Sequence, residues 1–189
     1  TRRKPRENCF EFGWRTALTV CQAISIAMTV VLPAPVAIFS ASRIRGRLDP
    51  AVMERVVNEL IRRHEVLRTT FTVVDDQPMQ VIHPTMDVKL IPFDLQALPL
   101  KEREQEALRL VTKDFSLPFD LEKGPLLRVG LIRLAENDHV LHVNMHHTVT
   151  DRWSGAIFEQ ETGVLYEAFA SNKPSPLPAL PVQYADYAL

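Results

Sequence analysis

Apolar residues recur at spacings of three and four between Val52 and Ile61, with Val52, Val56 and Leu60 on one row and Met53, Val57 and Ile61 on the next. That period predicts an amphipathic helix over 50–63. Asp49 supplies its N-cap, and Pro50 sits where a helix has no backbone N–H to lose. A second helical period covers 101–114, charged outside with Ala107, Leu108 and Val111 turned inward, and a third covers 154–170, with Ile157, Phe158, Leu165 and Phe169 apolar. Strand character marks 43–48, 66–74 (closed by the turn pair Asp75-Asp76), 80–83 and 88–92. Residues 125–134 and 140–146 flank a turn at 135–138 and predict a hairpin. The proline-rich stretch 171–181 predicts an exposed connection. This order of elements predicts an α/β fold, a two-layer sandwich in which helices pack on a mixed sheet.

Residues 1–39 lack this regularity. Arg2, Arg3, Lys4, Arg6 and Arg15 precede a charge-free run over 16–42, long enough for a membrane span or a signal peptide. Gln22, Ser25, Pro33 and Pro35 interrupt it and Leu, Ile and Phe are sparse, so a packed strand or helix is expected in place of a span. A chain running from Thr1 to Leu189 without a polar tail reads as a piece of a longer polypeptide, with 40–189 as one lobe and 1–39 as a divergent or foreign segment. At 189 residues, 46% hydrophobic and 24% charged, there is material for one core. A net charge of −1 gives no electrostatic footprint for nucleic acid. Cys9 and Cys21 make neither a disulfide framework nor a zinc site, and a reducing, cytoplasmic setting is expected.

The chemistry concentrates where the apolar run 140–145 ends, at His146-His147, followed by Asp151 and Ser154. Polar side chains at the end of a buried strand cost free energy unless they are satisfied or used, and imidazole is the side chain suited to moving a proton near neutral pH. On a strand, Leu141, Val143, Met145 and His147 share the more apolar face, and His142, Asn144 and His146 the other. A metal site built from His142, His146, His147 and Asp151 is disfavoured. A four-residue spacing converges on a helix, whereas on a strand it separates the ends by roughly 13 Å. From these residues alone, a catalytic pair and a pair of satisfied core histidines both stay open.

His-His-x-x-x-Asp-x-x-Ser, as it stands over 146–154, resembles the signature of nonribosomal peptide synthetase condensation domains, members of the chloramphenicol-acetyltransferase-like superfamily. Three further segments are similar to family motifs and stand in the family's order: Arg63-His-Glu-Val-Leu-Arg-Thr-Thr-Phe71, Phe119-Asp-Leu-Glu-Lys-Gly-Pro-Leu-Leu-Arg128 and Tyr184-Ala-Asp-Tyr-Ala188. The resemblance implies the N-terminal lobe of a two-lobed fold whose C-terminal lobe is missing. It implies amide formation between an upstream acyl or peptidyl thioester and the amine of a downstream aminoacyl thioester. Both would arrive on 4′-phosphopantetheine arms of upstream and downstream peptidyl carrier domains, with adenylation domains in the same polypeptide and no cofactor bound covalently to the lobe.

Carried over by position, the resemblance implies that His147 is the general base or electrostatic group facing the acceptor amine, with His146 beside it. Asp151 would be a structural carboxylate in a salt bridge with Arg68, and Ser154 and Arg152 would support the motif. Arg63, His64 and Glu65 are expected at a solvated helix end, and Trp153 as a core anchor. Three departures stand out. Arg152 replaces the family's glycine. The early Ser-x-x-Gln-x-x-Leu pattern is not evident before residue 40. The sequence stops where the second lobe should begin. An epimerization domain, a coenzyme A-dependent acyltransferase and a non-catalytic carrier-docking module are the rival readings. Heterocyclization domains are disfavoured because they carry aspartate where this chain has His146.

Overall fold

The computed structural model describes residues 22–24, 37–90 and 92–187. The elements in order are β1 (Gln22–Ile24), β2 (Ala37–Arg45), α1 (Pro50–Arg63), a 3₁₀ turn (Glu65–Arg68), β3 (Thr69–Val74), β4 (Gln77–Ile82), β5 (Pro92–Asp94), α2 (Leu100–Ser116), β6 (Leu127–Ala135), β7 (Asp138–His146), α3 (Arg152–Ala170) and a final 3₁₀ turn (Tyr184–Tyr187). Helix α1 forms as its caps require: Asp49 accepts the Ala51 N–H at 2.8 Å, and Met53, Val56, Val57, Leu60 and Ile61 are buried. The charge-free run 16–42 lies outside the described residues apart from 22–24 and 37–42.

The sheet is mixed, in the order β1-β2-β7-β6-β5, with β5 parallel to β6 and every other pair antiparallel. β3 and β4 form a separate hairpin whose two turn residues, Asp75 and Asp76, both take positive φ, the geometry that matches a tight hairpin turn to strand twist. The mixed sheet with packed helices is as expected, but the layer count is higher. Helices α1 and α3 bury one face through Leu127, Val129, Leu131, Val143 and Met145, and α2 covers the other through Ala107, Val111, Ile132 and Leu134. β7 is consequently buried on both faces, its polar face included: His142 is 5% and Asn144 0% exposed.

Several local expectations need correction. Residues 66–68 turn as 3₁₀ before β3 starts, β4 begins at Gln77, and 88–90 are irregular, with β5 starting at Pro92. Leu108 and Ile157 face solvent. α2 rests on a narrow Ala107–Val111 stripe, and a residue one step along a helix points about 100° away.

Arg63 and His64 do not stand in solvent. Arg63 Nε lies 3.0 Å from Glu161 Oε1, and His64 Nε2 2.7 Å from Glu161 Oε2. All three side chains are largely covered where α1 packs on α3. Beyond α3, the proline-rich tail folds back onto this corner. Arg63 donates to the Pro178 carbonyl, Gln183 Nε2 to the Arg63 carbonyl at 3.0 Å, and the Glu65 N–H to Gln183 Oε1 at 3.1 Å.

Candidate active site

The site begins with the way β7 is held. It runs between β2 and β6, with His142 directly opposite Gly130 and Val143 opposite Val129. A Cβ on residue 130 would lie 2.1 Å from His142 Cε1, so only glycine leaves room for the imidazole. At the strand's end the His146 N–H donates to the Leu126 carbonyl at 2.9 Å, and the chain turns through a Val149 N–H to His146 carbonyl bond of 3.0 Å. Val149 and Thr150 fold inward, 2% and 7% exposed, while His147 and Thr148 are left outside. Asp151 then caps α3, accepting from the Ser154 N–H and the Ser154 hydroxyl, both at 2.7 Å. Those bonds, the backbone one first, hold its carboxyl below the usual carboxylate range, and His147 nearby acts in the same direction.

The two histidines occupy different surroundings. His147 is exposed. His146 is half-buried, with Thr148 Oγ1 at 2.9 Å from its Nδ1 and the Phe119 ring packed edge-on, 5.9 Å between centroids at 78°. The Arg128 guanidinium lies over that phenyl ring, 3.9 Å from its centroid. Arg128 in turn joins β6 to the end of α2: Nε is 3.0 Å from Asp114 Oδ1, and Nη2 donates to the Asp114 and Leu117 carbonyls at 2.8 Å each. Burial, and then the charge of His147, lower the His146 pKa. His142, deeper along the strand, is lowered chiefly by burial despite Asp114 at 3.8 Å.

The structure therefore brings His146, His147, Asp151, Arg152 and Ser154 to one corner, where β7 hands over to α3. Arg68 takes another place. It pairs with Glu65 at 3.0 Å and donates to the His83 carbonyl. The expected Arg68–Asp151 salt bridge is not made: Arg68 is held by Glu65 and the His83 carbonyl, and Asp151 Oδ1 receives the Ser154 N–H and hydroxyl. Trp153 is 79% exposed and anchors no core, since it sits on the first turn of α3 ahead of the buried stripe that starts at Phe158. The Arg152 guanidinium has no hydrogen-bond or ion-pair partner among the described residues. Sequence reasoning missed Phe119, Arg128 and Thr148 as neighbours of the histidine pair. The segment 119–128 was visible as a motif, but nothing in its spacing shows that it folds against His146.

Among the described residues no group of three or more His, Cys, Asp or Glu side chains is placed to hold a metal ion, and no helix is long and apolar enough to cross a membrane.

The family model described as Condensation domain matches residues 38–189. One of the linear gramicidin synthase proteins of Brevibacillus parabrevis is 50% identical over 150 residues, 79% of this chain and 3% of that protein. Phosphinothricin tripeptide synthetase PhsB of Streptomyces viridochromogenes is 43% identical over 148 residues, 78% of this chain and 12% of that protein. Among solved structures, the X-domain from teicoplanin biosynthesis is similar with a TM-score of 0.72 at 32% identity, covering 81% of this chain and 32% of that one. The same X-domain is also solved in complex with OxyB. The first condensation domain of the calcium-dependent antibiotic synthetase, in complex with a substrate analogue, gives a TM-score of 0.70 at 26% identity and covers 76% of this chain and 35% of that one. The chain thus spans a few per cent of the first curated relatives and about a third of the similar solved chains.

Proposed function

Because this chain belongs to the condensation-domain family, we propose that it supplies the histidine-bearing lobe of an enzyme that forms amide bonds between carrier-bound thioesters. The acceptor would be the amine of a downstream aminoacyl thioester, and the donor an upstream acyl or peptidyl thioester, each on a phosphopantetheine arm. In that reaction a C–N bond forms, the donor C–S bond breaks, the amine loses a proton and the departing sulfur gains one. The carrying observation is His147: an exposed imidazole at the end of a strand buried on both faces, next to the capped start of α3. Accepting the amine proton, or stabilising the charge that builds as the bond forms, suits an imidazole in that position. Carrier domains on either side, adenylation domains and a second lobe opposite His147 belong to the same reading, as does residence in the cytoplasm. So does a boundary near residue 40, close to the start of the family match at residue 38.

Joining the chain to the rest of its parent domain and supplying two loaded carriers tests this. Product should form, and His147→Ala should reduce turnover by about 10²-fold or more. Turnover untouched by that change would reject His147 as the catalytic group.

A second reading, a docking module without turnover, draws on Arg152 in place of glycine and on the likeness to the X-domain solved with OxyB. Arg152→Gly separates the two. Restored or increased turnover favours a tuned enzyme, and no turnover in either form, with carrier binding retained, favours docking.

A further inference from the structure

A backbone N–H can only donate. The Thr148 N–H points at His146 Nδ1 with 3.3 Å between the nitrogens, and the Thr148 hydroxyl lies 2.9 Å from the same atom. A ring nitrogen that receives an N–H must carry a lone pair, so the imidazole proton belongs on Nε2. Thr148 thus closes a small loop onto the side chain two residues before it, and its hydroxyl also acts as donor there.

The other surroundings act in the same sense. The Phe119 ring stands edge-on to the imidazole and keeps water from part of it. Charged or titratable groups reach this ring from two elements: His147 on its own segment, and Arg128 on β6 behind Phe119, with Asp114 of α2 paired to Arg128. On the β2 side the residue opposite His146 is Ala37. A proton on Nδ1 would meet the Thr148 N–H head-on, and protonation of both ring nitrogens would add a second cation beside the phenyl ring that already carries Arg128.

We propose that Thr148 and Phe119 are positioning residues that fix His146 as the neutral Nε2–H tautomer, a hydrogen-bond donor and not a base. Within the amide-forming reading, on which this last clause rests, His147 is then the member of the pair left to accept the amine proton. The tautomer itself is independent of that reading. The adjacent histidines thereby divide the work: one is set by its neighbours before any substrate arrives, and the other stays open to solvent and substrate.

The test is a ¹⁵N NMR titration of the 189-residue chain. At neutral pH, His146 should show an unprotonated Nδ1 and a protonated Nε2. The Thr148 amide should shift with the same midpoint as the ring, below the ordinary histidine value of about 6.5. Thr148→Val, which lacks the hydroxyl, and Phe119→Leu, which leaves the ring wetter, should each raise the ratio of protonated to neutral His146 about threefold, an upward shift of the midpoint by about half a pH unit. Thr148→Ser should restore the native curve. An Nδ1–H tautomer in the native chain overturns the proposal. So does an unmoved His146 curve in both variants, even if they melt earlier, because a purely structural role would lower stability without touching the titration. None of these readings depends on peptide formation, so their failure is distinct from inactivity of the His147→Ala enzyme.

Discussion

Replacing Gly130 with alanine puts a carbon where the structure has an imidazole. The added Cβ would lie 2.1 Å from His142 Cε1, 2.5 Å from Nε2 and 3.0 Å from Nδ1, so the ring itself must move. It has little freedom to do so: His142 is 5% exposed, Phe115 stands edge-on at 6.1 Å and Asp114 lies at 3.8 Å. Overpacking of this kind costs about 1–3 kcal/mol. Against it, alanine removes conformational freedom from the unfolded chain, a gain of roughly 0.4–1 kcal/mol. The net expectation is a loss of about 1 kcal/mol, measured as the shift in urea midpoint multiplied by the slope. His142→Ala alone should also destabilise, by emptying a packed site. Combined with Gly130→Ala, however, the two changes should relieve one another, and the double variant should be more stable than the sum of the singles by at least about 1 kcal/mol. A Gly130→Ala protein within about 0.5 kcal/mol of the original, or strict additivity in the double variant, would refute the claim that this contact sets the strand carrying the histidine pair.

Two further outcomes follow from the same geometry. Asp151→Ala should cost about 1 kcal/mol in urea unfolding because the Ser154 N–H loses its acceptor, while Asp151→Asn, which keeps a capping oxygen, should cost only a few tenths. Equal losses for both would revive a charge-pairing role for Asp151. The pH dependence comes from His139, His142 and His146, whose pKa values burial lowers in the folded chain. The unfolded chain therefore binds more protons once pH falls below about 6.5, so stability is full above that value and declines beneath it. The urea midpoint should drop between about pH 7 and about pH 5, with a shallower drop in His142→Phe. A midpoint that rises over this interval contradicts the assignment.

What the sequence disclosed and what it concealed divide along physical lines. Local signals worked: Asp49-Pro50 and the stripe to Ile61 delimit α1, the Asp75-Asp76 pair marks its hairpin, and 135–138 marks the turn between β6 and β7. The histidine motif is also gathered at one corner of the fold, where β7 hands over to α3. Contacts made by tertiary packing were not legible. His142 and Asn144 look like a polar, wet face until α2 is laid across them. Glu161 appears as one more charge on a helix, yet it receives both Arg63 and His64. Arg68 carries the arginine of a motif, and its actual partners are local, Glu65 and the His83 carbonyl. Trp153 looks like core by residue type alone, but its place on the first helical turn leaves it outside.

The tail that folds back from α3 bears on how such a lobe can be joined to others. Its hold on the Arg63–Glu65 corner runs through Pro178 and Gln183, both well past the last residue of the helix. A recombination point chosen just after Ala170, where secondary structure pauses, would leave the Arg63 carbonyl and the Glu65 N–H without their partners and hand a foreign tail the task of replacing them. A splice placed beyond Tyr187 transfers the strap together with the surface it grips, and that is the better seam for building chimaeras.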